Sequence, residues 1–169
     1  MTAQPLASAL VAEATKKSGL VWVRGAEGPA RPLWHVWHEG GACVVGDGPG
    51  EQPLPALVAG ATAEVTVRSK DTGGRLVSWT ARVVEPPPDG EAWHAAVAEL
   101  RGRRLNATDG EALPARWARE CRVLRLEPTG ETSPPPEGSQ AAPPLPTPAA
   151  TRGPLAGRPS RAARRRRTR

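Results

Sequence analysis

Two of the three histidines, both cysteines, six tryptophans and a glycine-rich loop are the residues through which this 169-residue chain could do chemistry. His35 and His38 lie three apart in PLWHVWH (32–38). On a strand that spacing sends them to opposite faces, so they are not expected to share a metal ion; two hydrogen-bonding imidazoles are the simpler expectation. Cys43 and Cys121 both fall in strand-like patterns and read as buried free thiols, with no third group to make either a nucleophile. No Walker loop, G-x-S-x-G or paired-cysteine motif is present. Any chemistry is therefore expected from a cofactor.

Gly46-Asp47-Gly48-Pro49-Gly50 directly follows a strand pattern. Small residues there could bring backbone N–H groups to a phosphate, or could simply make a turn. Arg24, Arg31, Arg68, Lys70 and Arg82 could supply charged donors to the same phosphate. With no Phe and no Tyr in the chain, tryptophan must provide the aromatic core volume, and Trp22, Trp79 and Trp93 are assigned to it. Trp34 and Trp37 are left to flank a flat ring.

The elements that would position these groups follow from periodicity. Leu6, Leu10, Val11 and Ala14 predict an opening helix, with Thr2 as its cap and Lys16 and Lys17 in its last turn. Strands are predicted at 20–24, 32–38 and 42–46 as an antiparallel meander. Residues 47–60 predict a loop with a short helix through Leu54, Leu57 and Val58. The alternation of Ala61, Ala63, Val65 and Val67, then of Val77, Trp79, Ala81 and Val83, predicts a long hairpin turning at 71–74. Three prolines at 86–88 end it. Asp89 is positioned to cap a helix whose inner stripe is Trp93, Ala96, Val97 and Leu100, and a last strand is predicted over 121–127. The sum is a mainly β protein: a small antiparallel split barrel of about six strands, with two helices covering its openings.

Charge and composition divide the chain at about residue 128. Residues 129–169 hold eight arginines against two carboxylates, so of the 23 basic and 17 acidic residues the first 128 contain 15 of each. The body is neutral, which excludes an argument from bulk charge to a nucleic-acid-binding fold. The 129–169 segment has nine prolines, no aromatic residue and two leucines, and is expected to be a disordered tail. Its Arg164–Arg167 run could touch nucleic acid weakly and in a salt-dependent way, or be merely solvated. No apolar run spans a bilayer and no export signal opens the chain, so a cytoplasmic protein without membrane contact is expected.

Laid end to end, LVWVRGAEGPARPLWHVWHEGGACVVGDGPGEQPLPALVAGATAEVTV and the hairpin ATAEVTVRSKDTGGRLVSWTARVVE resemble the pyridoxamine 5′-phosphate oxidase-like family, the flavin-binding split barrels; with the helix and strand that follow, the resemblance spans about residues 4–128. It implies a homodimer with flavin mononucleotide (FMN) in a groove between subunits, or a deazaflavin or haem in related branches, serving an oxidoreductase of a small molecule. By position it places Trp34, His35, Val36 and Trp37 beside the ring and Gly46, Asp47, Gly48 and Gln52 beside the phosphate. Many flavin-binding members have Thr or Ser at the end of the third strand and Lys in the next loop. This chain has Gly46 and then Glu51-Gln52-Pro53, so Glu51 is expected to repel phosphate, with Arg68 or Lys70 compensating from a neighbouring strand. The departure also admits a second reading, a dimeric barrel without redox activity.

Overall fold

The computed structural model describes residues 3–105, 107 and 109–133. The Thr2 cap, the Arg164–Arg167 run and the disorder expected of 134–169 lie outside the described residues. The elements are helix α1 (Ala3–Lys17), strands β1 (Leu20–Arg24), β2 (Arg31–Trp34), β3 (Val36–His38), β4 (Gly41–Gly46), β5 (Thr62–Arg68) and β6 (Arg75–Val84), helices α2 (Glu91–Arg103) and α3 (Leu113–Glu120), and strand β7 (Arg122–Ser133).

All seven strands pair antiparallel in the order β2-β1-β5-β6-β7-β4-β3. The outermost strands, β2 and β3, are separated in the chain by His35 alone. Six strand spacings of about 4.8 Å would hold the edges of a flat sheet about 29 Å apart. Two residue steps reach about 7 Å at most. The sheet must therefore curl until its edges meet, and the result is a split barrel. The continuous strand predicted at 32–38 is thus corrected to two short strands, one on each edge, because His35 turns the chain from one to the other.

Alternation then sorts the side chains. Val21, Val23, Leu33, Val44, Val65, Val67, Val77, Trp79, Val83, Leu124 and Leu126 fill the barrel, all at 1% exposure or less. On β4 the opposite face, Cys43 and Val45, is equally buried, because α2 and α3 cover it with Trp93, Ala96, Val97, Leu100, Leu113 and Trp117. The two long helices were expected over the openings; α1 does pack into the barrel core through Val11, whereas α2 joins α3 on an outer wall.

Five further expectations are corrected. The inward line of α1 includes Val11 and Thr15, while Leu6 and Leu10 face out; the Thr15 carbonyl meets His35. Asp89 has φ +62° and does not cap α2; Gly90 does, without a side-chain bond. No helix forms through 54–58: Pro53 and Pro55 lack N–H donors, and Leu54 N–H donates instead to Asp47 Oδ1 at 2.8 Å. Leu54 and Leu57 are nevertheless buried in the barrel core. β7 runs five residues beyond Pro128, pairing Thr132 with Trp79 across a bulge. Trp79 and Trp93 are core residues as expected, but Trp22 is half-buried with the Arg68 guanidinium 4.7 Å above its ring.

Among the described residues no helix is long and apolar enough to cross a membrane.

Candidate functional site

β2 and β3 bring Trp34, His35, Val36 and Trp37 to one wall of a cavity of about 390 Å³. The end of α1 supplies Lys16 and Ser18 to it, and the end of α2 supplies Glu99, Arg103 and Arg104. The tryptophans are held by different neighbours. Trp37 stands edge-on to the buried Trp79, with centroids 6.1 Å apart at 86°, while Trp34 packs on the core beneath α2 and α3. Among the described residues Lys16 and Arg103 have no carboxylate within 4.0 Å.

His35 is 8% exposed, and its Nε2 lies 2.9 Å from the Thr15 carbonyl, tying the end of α1 to the β2–β3 joint. Burial lowers its pKa below the ordinary 6.5 and outweighs its backbone hydrogen bonds, so it is a neutral imidazole donating through Nε2–H. The stability consequence has a definite sign. Above the unfolded-chain value of 6.5 both states carry a neutral ring; as pH falls below 6.5 the unfolded chain takes up the proton first, and stability declines until the depressed folded value is passed. Urea unfolding between pH 8 and 5 should show this decline, and it should be reduced in His35→Gln. An equal slope in the variant would mean that other groups carry it.

His38 is directed elsewhere, 3.9 Å from Glu99 and 3.7 Å from Glu39. No cluster of three metal-ligating side chains occurs among the described residues. Cys43 is fully buried and its thiol is pushed up to about 11 by burial, which leaves it un-ionised and inert at neutral pH.

The Gly46–Gln52 segment stands apart from the cavity lining and is occupied by its own chain. A Cβ on Gly46 would lie 2.3 Å from the Gln52 carbonyl, and one on Gly48 would lie 2.2 Å from Cys121 Sγ, so both glycines permit close packing. Asp47, at φ +61°, accepts from Leu54 N–H. Gln52 acts as a side-chain clip: its Oε1 accepts from Trp34 N–H at 2.9 Å, while its Nε2 donates to the Trp34 and Val45 carbonyls at 2.9 and 3.1 Å. Glu51 is wholly buried, between Arg104 at 3.3 Å, Arg116 at 3.2 Å and the Trp117 indole N–H at 3.1 Å. The repulsion expected from Glu51 is accordingly quenched by two guanidinium groups. Asp109 completes the network at 2.6 Å from Arg116, whose bond draws the carboxyl below its usual range.

Arg68 and Lys70 line a separate open groove, between α1 and the β5–β6 turn, with Leu10, Glu13 and Leu76. The only residue it shares with the first cavity is Ser18. Sequence reasoning thus singled out Trp34 and Trp37, which line this cavity, and did not name Lys16 and Arg103, which line it too. Glu99 and Arg103 are four apart on α2, beside its buried stripe, and only docking of that helix shows what they face.

No protein-family model and no curated protein matches the chain. Solved structures do. The haem storage protein HutZ of Vibrio cholerae superposes with a TM-score of 0.51 at 12% identity, over 74% of this chain and 92% of that one. The flavocytochrome Anf3 of Azotobacter vinelandii gives 0.47 at 15% identity, over 95% and 88%. An FAD and haem binding protein of Mycobacterium smegmatis gives 0.45 at 17%, over 86% and 90%. The barrel topology and the likeness to HutZ place the chain in one class of fold, the split barrel of the pyridoxamine 5′-phosphate oxidase-like type.

Proposed function

We propose that this protein binds a flavin in the cavity walled by Trp34 and Trp37, and that it is a flavin-dependent oxidoreductase acting on a small molecule as a homodimer. The observation that carries the reading is the pairing of two indoles with two cations around one cavity, Lys16 and Arg103, neither of which has a carboxylate within 4.0 Å among the described residues. These residues fit the chemistry of the group: indoles suit a planar ring, and cations suit a phosphate. The cavity volume lies in the range of small-ligand sites, roughly 300–1,000 Å³. The resemblance of residues 4–128 to flavin-binding split barrels points the same way. FMN is the form we expect, with the phosphate at Lys16 and Arg103 rather than at the glycine loop, whose backbone is packed against Cys121 and Gln52.

When bound, a flavin would supply hydride or electron transfer. The chain's part is to hold the ring against Trp34 and Trp37, to balance its charge, and to shield it. His35 keeps its proton on Nε2, committed to Thr15, and so is assigned to holding the wall rather than to proton transfer. Leu6, Leu10, Leu20 and Leu76 are exposed apolar residues on α1, β1 and β6, and they favour a second copy of the chain as their cover.

The test is an absorption spectrum of the untreated full chain, followed by titration with FMN and with riboflavin. Flavin bands, or saturable FMN binding, are expected. Reversing the charges with Lys16→Glu and Arg103→Glu should weaken FMN about tenfold or more while changing riboflavin little, since riboflavin lacks the phosphate. A colourless protein that binds neither compound would overturn the reading, and a Soret band would replace flavin by haem.

A further inference from the structure

We propose that Glu51 and Gln52 are positioning residues of the cavity, which together hold Trp34 in place: Gln52 by its main chain, and Glu51 through the guanidinium of Arg104. The proposal rests on the flavin reading only for its ligand arm. The Glu51 side chain has no exposed surface, and the residue is not among those lining the cavity; its Oε2 faces Arg104 Nε at 3.3 Å. Arg104 also donates to the Gly50 carbonyl at 3.1 Å, so one ion pair and one hydrogen bond from this loop meet on the same guanidinium. Its Cζ stands 5.8 Å from the centroid of the Trp34 ring. The adjacent Gln52 grips the same tryptophan from its backbone, through one accepted and one donated hydrogen bond. Trp34 needs such support because β2 is an outermost strand that ends at this residue, so its backbone groups lack a continuing ladder partner. A carboxylate at position 51, which would oppose a phosphate, has a use once it is buried: it removes most of Arg104's rotamer freedom and sets the plane lying over the indole.

The experiment is a double-mutant cycle on the full chain with two readouts. The first is acrylamide quenching of Trp34 fluorescence, taken as the difference between each protein and its Trp34→Phe counterpart. The second is FMN affinity. Glu51→Gln and Arg104→Met should each raise Trp34 quenching and each weaken FMN about tenfold, and the double variant should be no worse than Arg104→Met alone. Gln52→Ala should raise Trp34 quenching independently of both. Arg116→Met removes the other cation on Glu51, and should lower the urea midpoint while leaving Trp34 quenching unchanged. Additive effects in the cycle, or unchanged quenching in Glu51→Gln, would overturn the proposal. If no flavin binds but the quenching cycle is non-additive, the flavin reading fails and the positioning role stands.

Discussion

Trp117→Ala is expected to lower the free energy of unfolding by about 3–5 kcal/mol, the range for deleting a fully buried tryptophan. The indole has no exposed surface and sits with Leu100, Leu113 and Val45 beneath α2 and α3. Its N–H also donates to Glu51 at 3.1 Å, so the truncation leaves both a cavity and a buried carboxylate short of a donor. For a domain stable by about 5–15 kcal/mol this is a large fraction. Urea unfolding followed by circular dichroism measures it. Trp117→Phe separates the two contributions, since it keeps most of the volume and loses only the N–H. A loss below about 1 kcal/mol for Trp117→Ala would mean that α3 is not packed on the barrel wall in solution.

Gly46→Ala, at the end of β4, is expected to be strongly destabilising for a change of a single methyl group. The new Cβ would meet the Gln52 carbonyl at 2.3 Å and Leu54 Cγ at 2.7 Å, and the first of these is backbone that can move only by opening the loop. Overpacking of this kind costs about 1–3 kcal/mol, and a backbone obstacle puts Gly46→Ala at the upper end. The strain would pass to the Asp47 N–H to Gln52 carbonyl bond, 3.0 Å long, and through it to the clip on Trp34. The variant should therefore lose ligand affinity as well as stability. Gly102→Ala is the control: that glycine lies inside α2 with nothing within 4 Å of a built Cβ, and alanine there should be neutral or stabilising by up to about 1 kcal/mol. Equal midpoints for the two alanine variants would refute the packing argument.

Much of the fold was legible in the residues alone, and the reason is periodicity. The β5–β6 hairpin buries Ala63, Val65, Val67, Val77, Trp79, Ala81 and Val83, and α2 buries Trp93, Ala96, Val97 and Leu100, because in both an alternating or 3.6-residue apolar pattern has only one face to hide. Where several helix faces were nearly equivalent, the pattern misled. In α1 the Leu6 and Leu10 side chains are larger than Ala7 or Val11, yet Val11 is the one the barrel accepts. Helix α3 escaped notice because LPARWARE offers just Leu113 and Trp117 as large apolar residues, and one such pair makes a weak signal.

The candidate site shows the same division. Trp34 and Trp37 could be singled out because tryptophan supplies the large aromatic side chains of this chain; His35 and His38 do part, but because His35 is the joint between β2 and β3 and not by alternation along one strand. What surrounds them was hidden: Lys16 and Arg103 come from helix ends 18 and 69 residues away from Trp34 in sequence, and Glu51 reads as exposed loop until α3 covers it.

Residue order by itself determined the β5–β6 hairpin, several of the other strands and the buried stripe of α2, because those depend on interactions between neighbours a few residues apart. Only the tertiary structure decided that the sheet closes through His35, that the glycine loop packs against its own chain instead of facing the cavity, and that a buried carboxylate holds Arg104 over Trp34. Those outcomes depend on which distant surfaces meet, and on the cost of leaving charge or backbone unpaired where they do.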